Sequence, residues 1–383
     1  MSSRPISLLL AAVLLVPAAC VDSPTEAPLR LDEPLASVLA APGITVMTQN
    51  LYLGANIDLL FTASTPGDYQ LVFQQLLTSN AGGFGRAQRI AMQIVEAAPH
   101  LVGLQEVASY TFTTEAGTAV LDFLYILQAY LDYLHYVAGV TPYTWTAVRN
   151  DMTATGPIAL TGLPVITYTD ADAILVRNDV QLLGNPTLVV FDAYETFSLL
   201  GFDLPFYRGY LAVDARAEGH SIRFANTHLE VQRFEDTQTA QTRQLIEELE
   251  ASPWPVVLVG DFNSAGNRDA SQEDESPTYK MLRNAGYADL WMREPKSRTG
   301  YTCCQGADLT NPVSALDQRI DMVLVRYGNA GFGGRSAVEI VGEEPADRIT
   351  VTDPMLGGDV TLWPSDHAGV VATFWPAPGL RRK

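Results

Sequence analysis

The sequence predicts one layered α/β sandwich domain, with about ten strands inside and helices outside. Three observations lead there. Short runs rich in Val, Ile and Leu recur along the chain between turn-forming residues. Stretches of helical periodicity interleave with those runs instead of following them in a block. Hydrophobic residues make up 47% of the 383 positions and charged residues 17%, enough to bury a sizeable core and to argue against global disorder.

The elements follow in order. Arg4 precedes an apolar run from Ile6 to Ala19, short for a membrane span but suited to the core of a signal peptide, so residues 1–19 read as a leader. Ala18, Ala19 and Cys20 resemble a bacterial lipoprotein cleavage site with Cys20 as the lipidated residue, although Pro17 stands where such sites carry an aliphatic residue. Ordinary secretion and an uncleaved anchor stay open beside that reading. Residues 20–43 are rich in Pro and Ala and read as a tether, and the domain spans 44–383. Strands are expected at 44–51, 101–107, 171–177, 187–194, 209–216, 221–229, 256–262, 320–326, 336–341 and 369–374. Helices are expected at 85–98, 116–134, 236–250 with Asp236 as N-cap, and 276–291. Phe123, Tyr125, Tyr130 and Tyr133 lie in the second of these and Tyr136 just beyond it, and this stripe is expected mostly to pack into the core. The long intervals 52–86 and 108–166 suit the rim of a site.

Polar residues gather where the apolar runs stop. Asn50 ends the first strand, Gln105 and Glu106 the second, and Asn226 and His228 the run "IRFANTHLE". "VVLVGDFN" runs into Asp261 and Asn263, Asp321 opens "DMVLV", and Asp366 and His367 precede the last strand. Any one of these suits a plain turn. Six together suit a crevice, because strand-end groups meeting at one place is how α/β sites are built. Glu106, helped by Asn50, offers oxygen to a hard cation such as Mg²⁺, with Mn²⁺ or Ca²⁺ as alternatives, and no cysteine or histidine cluster suggests zinc. Two histidines remain to move protons or stabilise charge, a set suited to attack of water on a phosphoester.

The net charge of −19 opposes passive adhesion to nucleic acid or anionic lipid, but leaves room for a local basic site or a bound cation. Past Cys20, cysteine occurs only at Cys303 and Cys304, whose adjacency excludes a CxxC pair and a four-thiolate zinc site. They read either as a vicinal disulfide or as two free thiols.

The series "TQNL", "LQEV", "NTHLE", "GDFN", "RIDMVLV" and "SDHAGVVATF" resembles the endonuclease/exonuclease/phosphatase superfamily, the DNase I-like fold, in order from residue 46 to residue 374. The resemblance implies a four-layer sandwich, two mostly antiparallel sheets flanked by helices. It implies metal-site roles for Asn50 and Glu106, a water-orienting or activating role for Asp261, and phosphate contact by Asn263. His367 matches the active-site histidine oriented by Asp321, and Asp366 a neighbouring carboxylate able to join a second metal site. His228 matches the second histidine, for which Asp170 is the expected partner and Asp172 the competitor, against the plain reading of both as turn residues. Arg208 stands where members carry a phosphate-contacting arginine, against the plain reading of a surface salt bridge. His100, His135 and His220 match no motif and read as loop or surface residues. The function so implied is a secreted or lipid-anchored, metal-dependent phosphoesterase. A phosphodiesterase acting on nucleic acid or phospholipid head groups is favoured over a phosphomonoesterase or a non-catalytic surface protein. A monomer, held at a bacterial membrane through Cys20, is expected.

Overall fold

A computed structural model describes residues 43–55, 83–114, 117–157, 165–199, 202–266, 276–295, 298–327, 334–353 and 358–376, with isolated positions between 67 and 79. The expected leader, Cys20, nearly all of the tether and most of the interval 52–86 lie outside the described residues. The chain runs β1 (Ile44–Asn50), α1 (Gly83–Ala97), β2 (Leu101–Gln105), β3 (Ser109–Thr114), β4 (Gly117–Asp122), α2 (Phe123–Ala138), β5 (Tyr143–Pro157) and β6 (Val165–Arg177). It continues through β7 (Gln181–Leu182), β8 (Thr187–Val190), β9 (Glu195–Leu199), β10 (Phe202–Phe206), β11 (Gly209–Ala217), β12 (His220–His228), α3 (Glu235–Glu250) and β13 (Val256–Asp261). Then come α4 (Pro277–Asn284), β14 (Ala288–Asp289), β15 (Asp321–Arg326), β16 (Arg335–Val341), β17 (Ile349–Asp353), β18 (Gly358–Leu362) and β19 (Gly369–Trp375).

Two large sheets result. The first has the order β16-β19-β1-β2-β6-β3-β4, with β5 also on β6; the second has the order β14-β15-β13-β12-β11-β7, with β8 also on β11. Most neighbours are antiparallel, but β1 pairs β2 in parallel and so does β12 with β13. Each parallel pair brackets a helix, α1 or α3, because parallel neighbours need a crossover. Val46 on β1 and Val257 and Val259 on β13 face the core between the sheets. Met47 faces α1 and α2 instead, and Val256 and Leu258 pack beneath α3 and α4. Helix, sheet, sheet, helix is the four-layer sandwich expected, and strands buried on both faces are why the runs read as continuously apolar.

Several element expectations need correction. The stretch 116–134 is not one helix: residues 117–122 are β4, and α2 begins at Phe123 because Asp122 caps it, accepting from the Tyr125 N–H at 3.0 Å. Asp236 is not an N-cap. A 3₁₀ turn over Gln232–Phe234 leads straight into α3, whose capping position, Phe234, makes no side-chain bond. The helix expected over 276–291 stops at Asn284, near Gly286 with φ of +86°, and β14 follows. The tyrosines of α2 are mostly not core: Phe123 is buried, but Tyr125, Tyr133 and Tyr136 are 75%, 59% and 87% exposed. The helix packs through Leu124, Leu127, Leu131 and Leu134, so the aliphatic stripe outcompetes the aromatic one. His100 is buried, not a surface residue, with Nδ1 accepting from the Thr45 N–H at 3.0 Å.

Candidate active site

β13 delivers Asp261, and the strand then turns at once. Gly260 has φ of +149°, and a Cβ there would lie 1.9 Å from the Thr227 carbonyl oxygen, so only glycine allows β12 and β13 to close at this point. Asp261 Oδ1 accepts from the Asn263 N–H at 2.8 Å, and Asn263 sits in the left-handed region at φ of 47°. Asp and Asn therefore meet through a turn and not through the strand pleat, while Phe262 goes fully into the core. Glu106 and Tyr52 also have positive φ, 53° and 63°. Three such residues around one crevice mark the place where the fold holds backbone strain.

Asn50, at the end of β1, bridges two carboxylates. Its Nδ2 donates to Glu106 Oε1 at 3.0 Å and to Asp261 Oδ2 at 3.1 Å. Glu106 Oε2 in turn accepts from the Leu53 N–H at 2.8 Å. Glu106, His228 and Asp261 each bring a ligand atom within 4.8 Å of the others, an oxygen-rich set suited to a hard cation. Asp261, Asp321 and His367 form a second such group, while Asp366 joins none of the groups found among the described residues. Asp366 instead lines the crevice beside Glu106. Burial pushes Asp366 up to about 7 despite His367, and burial together with Asp321 pushes Asp261 up to about 7 as well.

The histidines stand on either side of Asp261. His367 Nδ1 donates to Asp321 Oδ2 at 2.8 Å, and its Nε2 lies 3.9 Å from Asp261 Oδ2. Burial alone would lower this imidazole, but Asp321, Asp366 and Asp261 outweigh it and hold it well above the ordinary value. The segment 302–305 fixes both partners: Thr302 Oγ1 accepts from the Asp321 N–H at 3.1 Å, and the Ala368 N–H donates to the Thr302 carbonyl at 2.8 Å. Cys303 and Cys304, within that segment, are joined as a vicinal disulfide.

His228 has other company. Arg208, buried rather than on the surface, donates from a guanidinium nitrogen to His228 Nδ1 at 2.7 Å. Arginine can only donate, so Nδ1 accepts and the neutral ring carries its proton on Nε2, 3.4 Å from Asp261 Oδ2. Burial, with help from Arg208, pushes this imidazole well below its ordinary value. Asn263 Nδ2 lies 3.1 Å from the same Nε2 and donates to the Leu229 carbonyl at 3.0 Å. The carboxylate 4.0 Å from His228 Nδ1 belongs to Asp172, the competitor, which also accepts from Arg149 at 2.6 Å. Asp170 lines the crevice instead, 3.9 Å from Arg208, with neither oxygen hydrogen-bonded, and burial pushes it up to about 8.

All these groups sit in or beside a crevice of about 380 Å³ lined by Tyr52, Glu106, Asp170, Arg208 and Asp366 among others. One supporting residue escaped the sequence reading. Arg86 of α1 is fully buried; it donates to the Pro364 carbonyl at 2.8 Å and to the Leu51 carbonyl, tying the turn after Asn50 to the turn before Asp366. The available signal was an arginine placed four residues before Ile90, on the apolar stripe of α1.

A family model described as the Endonuclease/Exonuclease/phosphatase family matches residues 77–367. Among solved structures, a mannosyl-6-phosphatase from Bacteroides thetaiotaomicron is similar at 16% identity and TM-score 0.50, covering 87% of this chain and 99% of that one. An endonuclease/exonuclease/phosphatase family protein from Leptotrichia buccalis matches at 14% identity and TM-score 0.49, over 87% and 99%. A humanized D. rerio TDP2 matches at 15% identity and TM-score 0.48, over 87% and 98%. No match was found among curated proteins.

Proposed function

The chain belongs to the endonuclease/exonuclease/phosphatase family and is a phosphoester hydrolase, and from that premise we propose a divalent-metal-dependent phosphodiesterase, exported and lipid-anchored through Cys20. The observation that carries the reading is Asp261 standing between a charged and a neutral histidine. Glu106 and Asp261 would hold the cation, Mg²⁺ by the hardness of the oxygen set, with Asn50 Nδ2 tying the two carboxylates together. When bound, the cation supplies charge neutralisation at the phosphoryl oxygens.

The side chains supply the rest. Asp261 Oδ2 orients water and takes its proton, held in place through Oδ1 by the Asn263 N–H. His367 carries its charge toward the same place and stabilises a developing oxyanion through Nε2–H, while Asp321 fixes the ring and its charge through Nδ1. Asn263 and Arg208 address the remaining phosphate oxygens, Arg208 as a planar donor fork. Burial, with Arg208 adding to it, keeps His228 neutral, so the cation site does not face a second imidazolium. DNA or RNA and phospholipid head groups are the candidate substrates, and the acidic balance weighs against tight nonspecific grip on nucleic acid.

Hydrolysis of bis(p-nitrophenyl) phosphate by residues 21–383 tests this, with Mg²⁺, Mn²⁺, Ca²⁺ or EDTA, beside His367→Ala. Metal-dependent turnover lost in the variant is the expected result, and parallel DNA and sphingomyelin assays then separate nuclease from lipase. A folded protein inert with every metal would sink the phosphodiesterase reading.

A further inference from the structure

Part of the crevice wall has no task in the phosphate chemistry. It is formed by Phe197, Phe206, Glu230, Val231 and Arg233. Phe197 and Phe206 come from the β9–β10 hairpin, whose rings meet edge-to-face at 6.0 Å. Phe197 meets Phe234 in the same way at 5.8 Å, and the Thr237 hydroxyl donates to Glu195, fastening the hairpin to the start of α3. The guanidinium of Arg208 lies 4.4 Å from the Phe206 ring centre, which joins this wall to the phosphate side.

Glu230 is the anomaly in it. The residue is 2% exposed, and its backbone is held from both sides: its N–H donates to Gln241 at 2.9 Å and its carbonyl accepts from Gln238. Oε1 accepts from the Val231 N–H at 2.9 Å, but Oε2 is buried with no hydrogen-bond partner. A buried carboxylate oxygen left without a donor is costly and calls for an explanation. A cation at the Glu106 site does not provide it, because Glu230 belongs to none of the metal-capable groups among the described residues. A phosphate does not provide it either, since like charges repel. A donor carried by the part of the substrate beyond its phosphate would provide it, taking the place of water.

We propose that this wall is a recognition subsite for a ring-bearing alcohol esterified to phosphate, a nucleoside or a hexose. Glu230 Oε2 accepts an O–H or N–H from the ring, and Phe197, half-buried at the crevice, covers its apolar face. The proposal rests on the phosphoesterase reading and adds to it the group that selects the substrate.

Calorimetry on the full mature chain with Mg²⁺ tests it, with thymidine 5′-phosphate, glucose 6-phosphate and inorganic phosphate as probes. One ring phosphate is expected to bind at least about tenfold tighter than inorganic phosphate, the worth of one charge-assisted hydrogen bond. Which one does so separates a nucleoside from a glycosyl source. Glu230→Gln and Phe197→Leu, each checked for fold by circular dichroism, are expected to cut that preference about fivefold or more. Equal affinity for all three probes in the unaltered chain, or a preference that both variants keep, would overturn the subsite. Turnover of bis(p-nitrophenyl) phosphate by the same preparation keeps the two readings apart. If turnover persists without preference, the subsite alone fails; if turnover is absent, the parent reading fails with it.

Discussion

His228 and His367 share Asp261 as a neighbour and differ in almost everything else. Both are buried, and burial alone pushes both imidazoles toward neutrality. His367 meets a carboxylate on Nδ1, Asp321, and stays charged. His228 meets a guanidinium on Nδ1, Arg208, and stays neutral. The lesson is that burial alone makes a crevice histidine neutral, as at His228 where Arg208 adds to it, and that a carboxylate on the far nitrogen is what overturns burial at His367. Two equally charged rings would repel each other and any cation near Glu106.

The largest break in this contrast is expected from Asp321→Asn. The amide keeps the shape but no longer holds the His367 charge, and kcat is expected to fall about 10²- to 10⁴-fold, the range of a positioned acid–base group. A loss below tenfold would remove the dyad from the chemistry. Arg208→Met should act next, by about 10- to 10³-fold, because it removes a phosphate contact as well as the Nδ1 donor. Its second signature is directional. Arg208 lowers the His228 pKa, so its removal raises that pKa and moves the acid limb of the pH–rate profile to higher pH. An acid limb that stays in place would argue that His228 does not titrate in the working range.

Metal removal sharpens the comparison through stability. Asp261 and Asp366 rise from 3.8 to about 7 in the folded state, so the folded chain binds more protons than the unfolded one between those values. Their contribution to stability therefore falls as pH rises through that window. Mg²⁺ at one hundred times its Kd should restore about 2.7 kcal/mol at pH 8, read as a rise in Tm, and much less at pH 5 where both carboxyls hold protons. Equal Tm shifts at the two pH values would sink these carboxylates as the cation's environment. The smallest effect belongs to a histidine outside the crevice. His135 is exposed on α2, so His135→Asn should change stability by no more than about 0.5 kcal/mol and leave the pH profile unmoved.

The polar groups that meet at the crevice were legible because each ends or begins a strand buried on both faces, and a polar residue stands out against such a run. Asp261, Asn263, His367 and Glu106 are cases of this, and the structure brings all four to one place. What stayed hidden depends on contacts distant in sequence. Asp172 rather than Asp170 comes to His228 because it stands one pleat repeat further along the same face of β6, and two aspartates spaced by one residue did not reveal which of them would reach the ring. Strands β9 and β10 were missed because their partners are each other, so neither needed a continuous apolar run. Asp122 was read through as helix because an N-cap inside an apolar stretch does not interrupt its periodicity. The tyrosines of α2 were assigned inward because hydropathy does not tell which of two stripes will meet the sheet.

The first strand and the last lie side by side, β1 against β19, with Thr48 opposite Val370. Asn50 leaves one of them and His367 enters the other, more than three hundred residues apart along the chain. A growing polypeptide therefore holds Asn50, Glu106 and Asp261 well before it holds the charge that completes them. Removing the chain from residue 367 onward would therefore take away both the proposed charge and the strand that pairs with β1, two losses at once.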